Sequence, residues 1–251
     1  MYVNKDSFKM LNKEDIDKYL KIFANKYRKY NRNAPADIII VGGSSIVLNY
    51  GFRPSTMDID AIMKCDSVAK DLILQIAEEY DLDPDWMNSD FTATHSYSNK
   101  LLEVSKHYKT YNNGMLNIRT VKGEYLIAMK MVSGRLFGND LSDIIGVLIY
   151  ERKEENQIEY SKINMAIQKL YGDDKRINPL VIEKVKSLCN LGLEDLITKY
   201  NEEKQKASDI KVNLIKQNEK DSSVFNSRTT AKDLAELIYA ELEKEDEEEK
   251  S

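Results

Sequence analysis

The chain has 251 residues, 42% of them hydrophobic and 31% charged, with a formal net charge of −5. This suits a soluble globular protein of one large domain, or of one domain and a smaller companion. It argues against a membrane protein, since the longest apolar runs are too short to cross a bilayer, and against coating of nucleic acid by bulk positive charge.

The first residues lack the charged-then-apolar layout of a secretory leader, so a cytoplasmic location is expected. Asn12 is a plausible N-cap for a helix whose apolar stripe is Ile16, Tyr19, Leu20, Phe23, Tyr27 and Tyr30. The β-branched run Ile38-Ile39-Ile40-Val41 reads as a buried strand that enters Gly42-Gly43-Ser44-Ser45 and a short helix ended by Gly51. Residues 56–62 alternate as a strand, and a helix follows over 66–80. The stretch 82–91 reads as irregular. Asn113-Gly114 marks a hairpin within 106–121. Helices are expected over 124–135 and 140–152, and everything beyond Lys153 reads as helical: 160–171, 179–191, 193–204, a piece around 210–215, and 229–243. Residues 217–228 are polar and are expected to be mobile.

This order predicts an α/β (α+β) fold. A mixed sheet flanked by helices occupies 1–152, and a helical domain with an acidic tail at Glu241–Glu249 occupies 153–251. Cys65 and Cys189 have no partner at metal-ligand spacing, and neither do His95 and His107, so no zinc site or catalytic triad is expected.

The chemistry concentrates in Gly42, Gly43 and Ser44, then Arg53, Thr56, Asp58 and Asp60. A strand entering a helix through glycines presents backbone N–H groups at a helix N-terminus, which suits a triphosphate. Side-chain period two places Asp58 and Asp60 on one strand face. Neighbouring carboxylates repel unless a cation lies between them, and magnesium prefers carboxylates, phosphates and water.

With these motifs the chain resembles the nucleotidyltransferase superfamily typified by DNA polymerase β. The spacing Arg53-x-x-Thr56-x-Asp58-x-Asp60 most resembles the AbiEii-like branch, which includes toxins of toxin–antitoxin systems. The resemblance spans roughly 36–150. It implies Mg²⁺ on Asp58 and Asp60, and an NTP on Gly42, Gly43, Ser44, Arg53 and Thr56. It also implies a downstream set of Lys130, Arg135, Asp140 and Asp143, with Lys130 on the triphosphate and Asp140 or Asp143 active in catalysis. The expected reaction moves NMP from an NTP to an acceptor, with tRNA or a protein as the acceptor and an antitoxin as a partner. No membrane partner is expected. The superfamily's third carboxylate falls at Asn117 in this reading. That favours the alternative, a binding protein that keeps the fold without transferring anything. Another alternative is an enzyme that nucleotidylates a protein or a small molecule.

Overall fold

A computed structural model describes residues 9–30, 35–65, 67–133 and 139–220. Arg135, the acidic tail and the helix expected over 229–243 lie outside these residues. The elements in chain order are α1 (Lys13–Tyr30), β1 (Ala36–Ile40), α2 (Gly42–Tyr50), β2 (Ile59–Lys64), α3 (Val68–Tyr80), β3 (Met87–Asn88) and α4 (Leu101–Val104). They continue with β4 (Ser105–Tyr111), β5 (Leu116–Val121), α5 (Gly123–Ser133), α6 (Asn139–Lys153), α7 (Tyr160–Tyr171), α8 (Pro179–Asn190) and α9 (Leu193–Lys220). No described helix is long and apolar enough to cross a membrane.

The chain divides into two units. One holds Ser7–Ser133 and Ser161–Arg176, and with them all the described strands. The other holds α6, α8 and α9.

In the first unit the strands run in the order β3-β2-β1-β5-β4. β1 is antiparallel to β2 and parallel to β5, β3 adds to β2 in parallel, and β4 closes the other edge antiparallel to β5. This is the expected mixed sheet with flanking helices. Alternation along the strands sends Ile38, Ile40, Ile59, Ala61, Leu116 and Ile118 to one face. There they share a core with Tyr19, Phe23 and Tyr27 of α1 and Leu72 and Ile76 of α3. The opposite face carries Ile39, Asp60, Asn117 and Arg119.

Local signals explain several boundaries. Asn12 caps α1 as expected, its Oδ1 accepting from the Asp15 N–H at 2.8 Å. Asn112, Asn113 and Gly114 join β4 to β5 with φ of 52°, 55° and 93°, a left-handed run that Asn and Gly tolerate best. In the second unit, Asn178 caps α8 by accepting from the Leu180 N–H at 2.9 Å. The Arg152 guanidinium of α6 donates to the carbonyls of Leu191 and Cys189 at the other end of α8.

The structure also corrects the sequence reading. The strand expected from residue 56 begins at Ile59, because the Thr56 backbone is already paired in both directions with Leu11, at 2.7 and 2.9 Å. The stretch read as irregular contains β3. The pieces at 193–204 and 210–215 belong to one helix, α9, which runs on through part of the polar stretch to Lys220.

Candidate active site

β1 delivers the chain to Gly42, whose φ is +59°. The N-cap of α2 is Val41, which has no side chain able to cap the helix. The first N–H groups of α2 are therefore left for another acceptor. A Cβ on Gly42 would lie 3.0 Å from Asp60 Oδ2, and a Cβ on Gly43 would lie 2.8 Å from the Arg53 guanidinium. A side chain at Gly42 would be strained by its backbone angle, and one at Gly43 would displace the end of the Arg53 side chain. The buried Ser44 hydroxyl donates to the Val41 carbonyl at 2.9 Å. It braces the turn, and the donors facing outward are backbone N–H groups.

Asp60 lies inside β2, where its carbonyl accepts from the Val41 N–H at 2.9 Å. Asp58 lies in the bend before β2, so strand alternation does not orient it. Its Oδ2 instead accepts from Asn88 Nδ2 at 3.2 Å, and Asn88 is the register partner of Asp60 across β2 and β3. Burial pushes the Asp58 carboxyl above the ordinary carboxylate value, while the Asn88 bond and the Arg53 charge pull it back. Arg53 is tethered by its Nε to the Ser55 carbonyl at 3.2 Å. The result is a closed circuit in which Gly42 meets Asp60, Asp60 pairs with Asn88, Asn88 holds Asp58, and Arg53 spans from Asp58 to Gly43.

The other candidates lie on further elements. Thr56 is buried and ties the loop before Asp58 to Leu11 through its backbone. Lys130 is buried on α5 of the same unit, and its carbonyl accepts from the Ser133 hydroxyl. Because β5 is parallel to β1, α5 leaves the same end of the sheet as α2. Asp140 and Asp143 lie on α6 in the other unit, with Asp143 only 1% exposed. Asn117 does not stand where a third carboxylate would. It pairs with Asp37 at the start of β1, about 13 Å along the strand from Val41 at 3.3 Å per residue. On the Asp60 face, β5 offers Asn117, Arg119 and Val121, none of them acidic. The Arg119 guanidinium donates to Ser105 Oγ and the Ser105 carbonyl, both at 2.6 Å.

A family model matches the chain over this region. The model described as "Nucleotidyltransferase of unknown function (DUF6036)" matches residues 17–183. The chain belongs to this family. The match contains the whole circuit around Gly42, as well as Lys130, Asp140 and Asp143. No curated protein and no solved structure matches the chain.

The donor set of this DUF6036 nucleotidyltransferase suits magnesium. Asp58 and Asp60 offer hard oxygen donors, and magnesium commonly takes one or two protein carboxylates, completing its shell with phosphates and water. Among the described residues no group of three His, Cys, Asp or Glu side chains gathers tightly enough to hold a metal alone. Asn88 is the site residue that the sequence reading missed. A single Asn on a two-residue strand leaves no periodic signal.

Proposed function

We propose that the chain is a magnesium-dependent nucleotidyltransferase that moves a nucleoside monophosphate from an NTP to a hydroxyl acceptor. The observation that carries this reading is the contact between Gly42 and Asp60. It sets an uncapped helix N-terminus, which favours phosphate, within one methyl group of a carboxylate, which favours the accompanying cation. In the reaction the acceptor oxygen bonds to the α-phosphorus as the bond to the α,β-bridging oxygen breaks. Pyrophosphate leaves and the hydroxyl proton passes to water. The N–H groups of α2 hold the triphosphate, and Arg53 adds a positive charge beside them. Asp58 and Asp60 would hold the magnesium, which when bound would supply charge neutralisation at the phosphates. All these residues belong to the sheet-containing unit.

The resemblance of the 53–60 segment to AbiEii-like chains supports a tRNA 3′ end as acceptor, and a toxin role with an antitoxin as partner. A protein hydroxyl or a small molecule is the competing acceptor. A second reading, nucleotide binding without transfer, is favoured by the absence of any acidic residue among Asn117, Arg119 and Val121.

The test is label transfer. The chain is incubated with Mg²⁺ and each α-labelled NTP, separately with total tRNA, with cell protein, and with no acceptor. Asp58→Ala plus Asp60→Ala serves as the control. Label on RNA that the double variant loses supports a tRNA transferase, and label on protein supports a protein-modifying enzyme. Magnesium-dependent NTP binding with no label on any acceptor would favour the second reading.

A further inference from the structure

Asn88 is held from behind and turned toward the site. Trp86, two residues earlier, is 1% exposed, and its indole N–H donates to the Ile73 carbonyl of α3 at 3.1 Å. The Trp86 carbonyl accepts from the Ile59 N–H at 2.8 Å, which locks the start of β2 against β3. From this anchored strand, Asn88 Nδ2 donates to Asp58 Oδ2 and to the Asp85 carbonyl, each at 3.2 Å. Its Oδ1 accepts from the Asp90 N–H at 3.0 Å. Asp58, in the bend outside the ladder, has no strand pairing to orient it.

We propose that Asn88 is a positioning residue for the metal site: its amide fixes one Asp58 oxygen so that the other is presented to the cation beside Asp60. This rests on the assignment of Asp58 and Asp60 as magnesium ligands. The residue type is what the task requires. An amide donates a bond while adding no charge, whereas an acid at position 88 would repel Asp58 and an aliphatic side chain would remove this bond. Partners that orient a metal-binding carboxylate are worth about 10–100-fold in metal affinity or activity.

The test is binding of Mn²⁺, a paramagnetic stand-in for Mg²⁺, to the full chain with inorganic tripolyphosphate, read as the loss of free Mn²⁺ resonance signal beyond that caused by the same tripolyphosphate without the chain. Asn88→Leu keeps the branched shape, with somewhat more bulk, and removes every amide bond. It is expected to weaken Mn²⁺ binding by about 10–100-fold. Asn88→Ala is read in the same way should the leucine variant fail to fold. The same change is then made in an Asp58→Ala background, where no side-chain acceptor remains and its effect is expected to shrink below about twofold, because the two groups act through one bond. An Asn88 variant within about twofold of the wild type overturns the proposal. So does an equal loss in both backgrounds, which would mark a general structural role. If the wild-type chain binds no Mn²⁺ with tripolyphosphate, the ligand assignment of Asp58 and Asp60 itself falls, and this inference with it.

Discussion

A methyl group at residue 42 would sit 3.0 Å from Oδ2 of Asp60, on a backbone at φ +59°. Gly42→Ala is expected to cost about 1–2 kcal/mol for the left-handed angle and to lower transfer at least about tenfold, because the methyl group fills the space between the anion site and the carboxylate. Gly51→Ala separates these effects. Gly51 has φ +67° but nothing within 4 Å of its Cβ direction, so its melting temperature should fall comparably while transfer persists. Asp58 carries a pH signature. Burial raises its carboxyl, so the folded chain holds that proton more tightly than the unfolded chain does. Stability contributed by the protonated group is therefore lost as pH rises from the ordinary carboxylate value through the folded one. Asp58→Asn removes this cost. The variant should melt higher than wild type at pH 7 and match it near pH 3, while losing transfer. Equal melting at both pH values would show that burial of Asp58 carries no such cost.

The elements that could be read from the sequence are those with a repeating pattern or a strong cap. α1 has a full apolar stripe and an Asn12 cap, and the β4–β5 hairpin has Asn113-Gly114. β1 is a β-branched run ending at glycines. β3 had no such mark, since two residues cannot show a period, and Asn88 was missed with it. The start of β2 was misplaced because alternation over 56–62 continues through a bend whose backbone is paired with Leu11, a partnership far away in sequence. Asn117 was misassigned for a related reason. Its distance from Gly42 depends on the β1–β5 register, which no local pattern encodes. The importance of β3 leads to a prediction. Trp86→Ala should cost about 3–5 kcal/mol as a buried aromatic truncation. In denaturant titrations at low temperature, the surviving folded fraction should bind Mn²⁺ and tripolyphosphate less well than wild type, because Asn88 loses its anchor. Unchanged affinity would show that β3 holds its place without Trp86.

At the scale of the whole molecule, the fold class was legible because the chain changes character along its length. Strands and helices mix up to α5, and from α6 onward the described elements are helical. The return of α7 residues to the sheet-containing unit was not legible, because an amphipathic helix does not state which core it joins. The metal requirement is also tested on the whole chain. EDTA should abolish label transfer yet leave the melting temperature of the nucleotide-free chain unchanged. Mg²⁺ with NTP at about 100 times its Kd should stabilise the fold by about 2.7 kcal/mol, or about 5–10 °C for a chain of this length. A melting temperature that falls on adding EDTA alone would reveal a structural metal instead.

The parallel pairing of β1 with β5 also bears on how the chain folds. Ala36 lies opposite Leu116, a separation of about 80 residues, whereas β4 and β5 are joined by a short turn. Hairpins of that kind form within about 1–10 μs, while closing so long a loop must be compensated by contacts that come later. The hairpin is thus expected to form early and wait, and its docking beside β1 to set the folding rate. Gly42 and Asp60 are only 18 residues apart, so their contact requires no closure of that long loop.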